Sequence, residues 1–345
     1  MLTDLPPELL LSIADFLTRR RDINALAQTN TSLYKTLDPF LYRRDVQLLH
    51  DSALLWGIWK GPLQTIAKSI VAGADIHTRG AYRRGALAEA AVEPNYAAAK
   101  LLLAVPGIDV NRADERFGRS ALSWACERGT EDIVKLLLSA PDIDVLSVDA
   151  QGQTPLSRAC YRGHEGIVKL LLNIPGIEKI CNLSDKDRQT PLTLALMQAR
   201  HHIVRLLVQH PLIDLNSPGN EHGPPIYTAI YVERGMLPVF LEGEGIDLNT
   251  RNADGQPPLC YAAKYGRGDE VKNLLGTGMV QVNEACDLGQ TALHYAAKYG
   301  REDEIRILCE AGADLGARDA EGRTPVEVAV EARKNDVVKL LMEFM

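Results

Sequence analysis

The feature that most constrains this chain is a repeat of itself. YAAKYGR runs from Tyr261 to Arg267 and recurs from Tyr295 to Arg301, an offset of 34. Aligning on a helix-cap position followed two residues later by an aliphatic residue extends the register. The cap position falls at Ser52, Gly85, Ser120, Thr154, Thr190, Pro224, Pro257, Thr291 and Thr324, at intervals of 33 to 36. The aliphatic partners are Leu54, Leu87, Leu122, Leu156, Leu192, Ile226, Leu259, Leu293 and Val326. A period of this length means stacked supersecondary units, none of which can bury its apolar face alone.

Each unit reads as a helix pair. In GQTPL (Gly152 to Leu156), Thr154 caps a helix and Pro155 occupies its first turn. Small residues follow, as at Ala159-Cys160 and Ala262-Ala263, and let neighbouring helices approach. A glycine (Gly61, Gly129, Gly163, Gly266 or Gly300) then ends the first helix in a left-handed cap. The second helix carries an aliphatic stripe such as Ile133, Val134, Leu136 and Leu137, and closes on a turn such as AGADL (Ala311 to Leu315). The stretches Gly152 to Leu172 and Gly289 to Leu315 resemble the ankyrin repeat, and the resemblance covers roughly residues 45–345. Departures stand at Pro94 and Arg188, where glycine is expected, and at Gly235, two positions late. Irregular geometry is expected there.

Residues 1–45 lie outside the repeat. LPPELLLSIADFL (Leu5 to Leu17) starts with prolines, and Leu9, Leu10, Ile13, Phe16 and Leu17 follow helical spacing. Asp22 to Asn30 reads as a second helix and Thr31 to Leu37 as a short third. A segment this small seldom stabilises itself, so its apolar stripe needs cover from the repeats or from another protein. The pattern resembles the F-box, which docks an adaptor onto the Skp-type linker subunit of a cullin ubiquitin ligase. The resemblance implies linker contacts at Leu5, Pro6, Glu8, Leu9, Ile13, Leu17 and Leu26, with Asp22 also matching. Asn30 and Leu33 depart from the Cys and Trp of many members. The combination resembles a class of fungal F-box/ankyrin proteins. The expected fold is therefore all-α, a small three-helix F-box over 1–45 followed by an ankyrin-repeat solenoid of about nine units over 46–345.

Composition narrows the function. The net charge is −7 and the first 45 residues are charge-balanced, so the repeats carry the acidity and a basic nucleic-acid footprint is absent. Six cysteines without a CxxC pair suggest neither a zinc site nor a disulfide framework. No signal peptide and no apolar run of about 20 residues is present, so a membrane partner is not expected and the cytoplasm or nucleus is. HEGIV (His164 to Val168) lacks the second histidine of a zinc protease motif. Cys126 and Cys160 hold equivalent repeat positions and read as small core residues. With no catalytic constellation, cofactor or metal site, a non-catalytic interaction protein is expected.

In ankyrin proteins, the turn before the cap and the end of the first helix line a groove. Carried over by register, the resemblance implies a groove that includes Arg116, Phe117, Arg128, Tyr161, Arg162, Tyr231, Lys264, Tyr265, Lys298 and Tyr299, with Arg119, Gln151, Gln153, Gln189, Gln256 and Gln290 also in the turns. Tyrosines beside cations offer rigid contact area and charge-assisted hydrogen bonds. The expected ligand is a protein segment, acidic or phosphorylated. The leading function is then a substrate-receptor adaptor of an SCF-type ligase. The competing one is a ligase-independent scaffold or inhibitor whose N-terminal helices only cap the array.

Overall fold

The computed structural model describes residues 52–80, 83–219, 223–232 and 235–345. The expected F-box helices, with Leu5, Pro6, Glu8, Leu9, Ile13, Leu17 and Leu26, lie outside the described residues. Those described form eighteen α-helices, one short 3-10 turn and no strand. Two compact units divide the chain, one ending at Pro155 and the other starting at Leu156.

The first unit holds three helix pairs: α1 (Ser52–Trp59) with α2 (Leu63–Val71), α3 (Ala86–Val92) with α4 (Tyr96–Leu103), and α5 (Ala121–Arg128) with α6 (Glu131–Leu138). The second holds six. They are α7 (Pro155–Arg162) and α8 (Glu165–Leu172), α9 (Pro191–Met197) and α10 (His201–Val208), α11 (Pro225–Tyr231) and α12 (Met236–Phe240), α13 (Pro258–Lys264) and α14 (Gly268–Gly276), α15 (Ala292–Tyr299) and α16 (Glu302–Glu310), and α17 (Pro325–Glu331) and α18 (Asn335–Glu343). Inside each unit, first helices pack on first helices and second on second, as α1 on α3 on α5 and α13 on α15 on α17.

The period has a packing cause. Five residues after each cap position stands Gly57, Ala90, Ala125, Ala159, Ala195, Ala229, Ala262, Ala296 or Ala329, and all of these are buried. A side chain longer than a methyl there would hold adjoining first helices apart. The helix starts behave as the residues predict. The Oγ of Ser120 accepts the Ser123 N–H at 3.3 Å, and Thr190 Oγ1 accepts the Thr193 N–H at the same distance. Thr324 and Glu327 form a reciprocal capping box.

The departures keep the conformation and change the residue. Arg188 takes a φ of 58°, the left-handed value that Gly152 (80°) and Gly289 (69°) take at equivalent turns. Ala199 does the same at the end of α9, with φ 51°. Pro94 also takes a positive φ, 25°, and Asn95 then accepts the Ala98 N–H at 3.0 Å and starts α4. Gly61 is a correction to the expected left-handed cap. Its φ is not positive; a Cβ there would fall 2.7 Å from the Gly57 Cα and 2.6 Å from the Trp56 ring. It is glycine for space.

Asparagines tie one turn to the next, a role not read from the sequence. Asn111, Asn182, Asn216 and Asn283 each donate a side-chain N–H to a carbonyl of the following pair's turn. Each also accepts a backbone N–H there, from Asp144, Asp214, Asp247 and Asp314 respectively, at 2.8 Å.

His294 makes the second unit sensitive to acid. The N–H of Thr291 donates to its Nδ1 at 3.2 Å, so the ring proton sits on Nε2, 3.0 Å from the Arg323 carbonyl that accepts it. Burial is the main cause that holds this imidazole below its ordinary 6.5. The unfolded chain therefore binds the proton first, and stability falls as pH drops below 6.5 toward the folded value. Asp319 adds a later loss. Burial opposes its charge, but hydrogen bonds from the Arg323 side chain and backbone and from Gln290 lower it from 3.8 to about 2. Its contribution is present above 3.8 and disappears as pH falls to about 2. Urea melts at stepped pH should show both losses, and His294→Asn, which keeps an acceptor for Thr291, should remove the first. An unchanged upper step in that variant would contradict the assignment.

Candidate protein-binding face

The repeated heptapeptide divides its labour residue by residue. Tyr261 and Tyr295 are buried, and the latter's hydroxyl reaches Cys286 Sγ at 3.4 Å. The alanine pairs that follow have no exposed surface and form the contact between first helices. Gly266 and Gly300 turn the chain left-handed, with φ of 68° and 71°. The arginines then strap one pair to the last. Arg301 Nε donates to the Lys264 carbonyl at 3.3 Å, and Arg267 Nη2 donates to the Tyr231 carbonyl at 2.6 Å. Arg200 repeats the move on the Tyr161 carbonyl at 3.3 Å. Each guanidinium satisfies a carbonyl at the negative end of a helix. Tyr265, Lys298 and Tyr299 are left to face outward.

These tyrosines form part of a row in the second unit. Met197 and Tyr231, seven residues after their caps, and Tyr265 and Tyr299, eight after theirs, are 38%, 47%, 41% and 41% exposed, one per consecutive pair, and Tyr161, seven after its cap, is half-buried. Tyr231 and Tyr265 meet edge to face with centroids 5.9 Å apart, and Tyr265 continues inward to Tyr261 at 4.6 Å. Cations lie over the rings: Arg162 over Tyr161 at 5.4 Å, Lys264 over Tyr265 at 5.4 Å, and Lys298 over Tyr299 at 6.0 Å. Rings held by packing and neighbouring cations present contact area at little entropic cost.

Arg116, Phe117 and Arg128 belong to the first unit, where Arg116 and Arg128 are exposed. The Asp114 carboxylate accepts the backbone N–H groups of Arg116 and Phe117 at 2.9 and 2.6 Å, which shapes this turn. Arg116 lies over the Phe117 ring at 4.9 Å.

Three turn residues expected in the groove are inside instead. Arg119 is buried, with Nε donating to Asp149 at 3.2 Å and its guanidinium 4.7 Å from the Trp124 ring. Gln256 and Gln290 are also buried, bonded to Asn252 at 3.3 Å and to Asp319 at 3.4 Å. Gln153 and Gln189, at the same position before their caps, are only half-buried, so periodicity alone does not reveal which of these residues turn inward. Cys126 and Cys160 are buried as expected, and burial pushes the Cys160 thiol up, away from a reactive thiolate. Among the described residues no His/Cys/Asp/Glu cluster could hold a metal, and no helix is long and apolar enough to cross a membrane.

Comparison with known families agrees with this geometry. An ankyrin-repeat family model matches residues 87–181, 226–319 and 259–344, together more than half of the chain. An F-box-like model matches residues 2–47. Alpha-latroinsectotoxin-Lt1a of Latrodectus tredecimguttatus is 28% identical over 110 residues, 32% of this chain and 8% of the toxin. F-box and ankyrin domains are typically non-catalytic interaction modules. Capped helix pairs stacked through buried alanines, matched by that family over most of their length, make this chain a member of the ankyrin-repeat family that carries an F-box-like domain at residues 2–47.

Proposed function

We propose that the chain is a substrate-receptor adaptor of a cullin-based, SCF-type ubiquitin ligase. Residues 1–45 dock a Skp-type linker subunit through Leu5, Pro6, Glu8, Leu9, Ile13, Leu17 and Leu26. The repeats hold a protein substrate on the tyrosine row, within reach of the ubiquitin-charged enzyme. The adaptor acts in the cytoplasm or nucleus and contributes proximity, with no residue of its own in the chemistry. The observation that carries this reading is the F-box-like match at residues 2–47, directly ahead of an interaction array.

The test is co-purification of the full chain with a Skp-type linker. Leu9→Asp with Ile13→Asp should reduce association by about thirtyfold or more, the scale of losing a buried hot-spot pair, with the repeats still folded by thermal melt. An unmodified chain that fails to capture the linker would overturn the adaptor reading, and association that survives both changes would overturn the assigned docking residues. Repeats that unfold in the same variant would instead favour a scaffold whose N-terminal helices cap the array.

A further inference from the structure

The two copies of YAAKYGR differ in what faces their lysine. In the seventh pair, Asp254 on the preceding turn lies with its carboxylate 3.7 Å from Lys264 Nζ, which is largely covered. Ten residues before Lys298, at the equivalent turn position, stands Leu288, and it is 60% exposed. Asp187, Asp254 and Glu321 give other turns of the second unit a carboxylate at this position. The nearby acids are held elsewhere. Asp287 pairs with Arg251 at 3.3 Å, and Glu321 and Glu331 pair with Arg323 at 2.8 and 3.0 Å. Lys298 thus faces outward beside Tyr299 with no carboxylate within ion-pair distance among the described residues.

We propose that the eighth pair is the anchoring subsite of the tyrosine row. An anionic side chain of the partner segment pairs with Lys298, and an adjacent apolar side chain packs on Leu288 and Tyr299. One pair earlier, Asp254 occupies Lys264 and closes the matching site to anions. The selectivity comes from one turn residue, carboxylate against leucine, in otherwise duplicated sequence. This rests on the tyrosine row being the substrate-binding face.

The experiment uses the full chain and three fluorescent peptide pools with random flanks around a fixed centre: Glu-Leu, phosphoserine-Leu or Gln-Leu. No linker subunit is present, so failure here is separate from failure of ligase docking. The wild type should retain at least one anionic pool over Gln-Leu, and the stronger of the two names the source of the anion. Lys298→Glu should weaken that binding by about tenfold and Lys264→Glu by less than about twofold, the contrast between a free charge and one already paired. Asp254→Leu should open the second subsite and strengthen anionic binding about threefold. Equal losses for the two lysine variants, or no preference between anionic and Gln-Leu pools, would overturn the proposal. Thermal melts that match the wild type keep either result interpretable.

Discussion

Replacing Glu89 with alanine is expected to lower the stability of the first unit by about 3–5 kcal/mol, the scale of breaking one side of a buried ion pair. Glu89 has no exposed surface in the middle of α3. Its carboxylate accepts two bonds from Arg84, Nε at 3.2 Å and Nη2 at 3.1 Å, and a third from Trp59 Nε1 at 3.2 Å. Arg84 is itself buried and lies 5.1 Å from the Trp124 ring. One carboxylate therefore ties α1 to α3 and to the turn ahead of α3. Its removal leaves a guanidinium in a poor solvent with its strongest acceptor gone, and leaves an indole N–H without its partner. Replacing both partners with leucine removes the desolvated charges together, so Arg84→Leu with Glu89→Leu should recover most of the loss. Urea melts of the three variants decide the matter. A double variant no more stable than Glu89→Ala would mean that packing volume, and not the unpaired charge, sets the cost.

Glu89 also shows where sequence reading stops. In ALAEAAV a lone glutamate looks like the wet side of a helix, and only the third dimension places Trp59 and Arg84 around it. The elements themselves were legible, because Ser120, Thr190 and Thr324 cap helices by local chemistry and the buried alanines recur at one offset. Local rules also forecast the left-handed turns, which Arg188 and Ala199 keep without glycine. The candidate face was legible only in part. Helix ends project their last side chains outward by geometry, so the exposure of Tyr231, Tyr265 and Tyr299 follows from their place in the sequence. The turns were not, because whether Arg119, Gln256 or Gln290 points in or out depends on the neighbouring turn. The pairing of Lys264 with Asp254 was hidden for the same reason. It joins a turn to a helix end ten residues away, and no period marks it.

Phe240→Ala is expected to lower stability by about 3–5 kcal/mol and to loosen one region of the second unit before the rest. Phe240 is fully buried in α12, which has only five residues and starts from Gly235 at a φ of 94°. A helix of this length has no stability of its own, since nucleation costs more than so few hydrogen bonds return. It persists because Met236, Leu237 and Phe240 are sealed, with α12 packed on α11 and between α10 and α14. In a stack, each pair is stabilised chiefly by its neighbours, so a weak pair divides the array around it. Amide hydrogen exchange should therefore rise first in α12 and the ends of α10 and α14 that touch it. Exchange in α15 and α16, two pairs removed in Phe240's C-terminal direction, should lag behind. Leu308→Ala, which cuts the core of the full-length α16, serves as the comparison. If both variants raise exchange uniformly across the second unit, its six pairs unfold as one cooperative block, and the short sixth helix pair is no weaker a joint than the others.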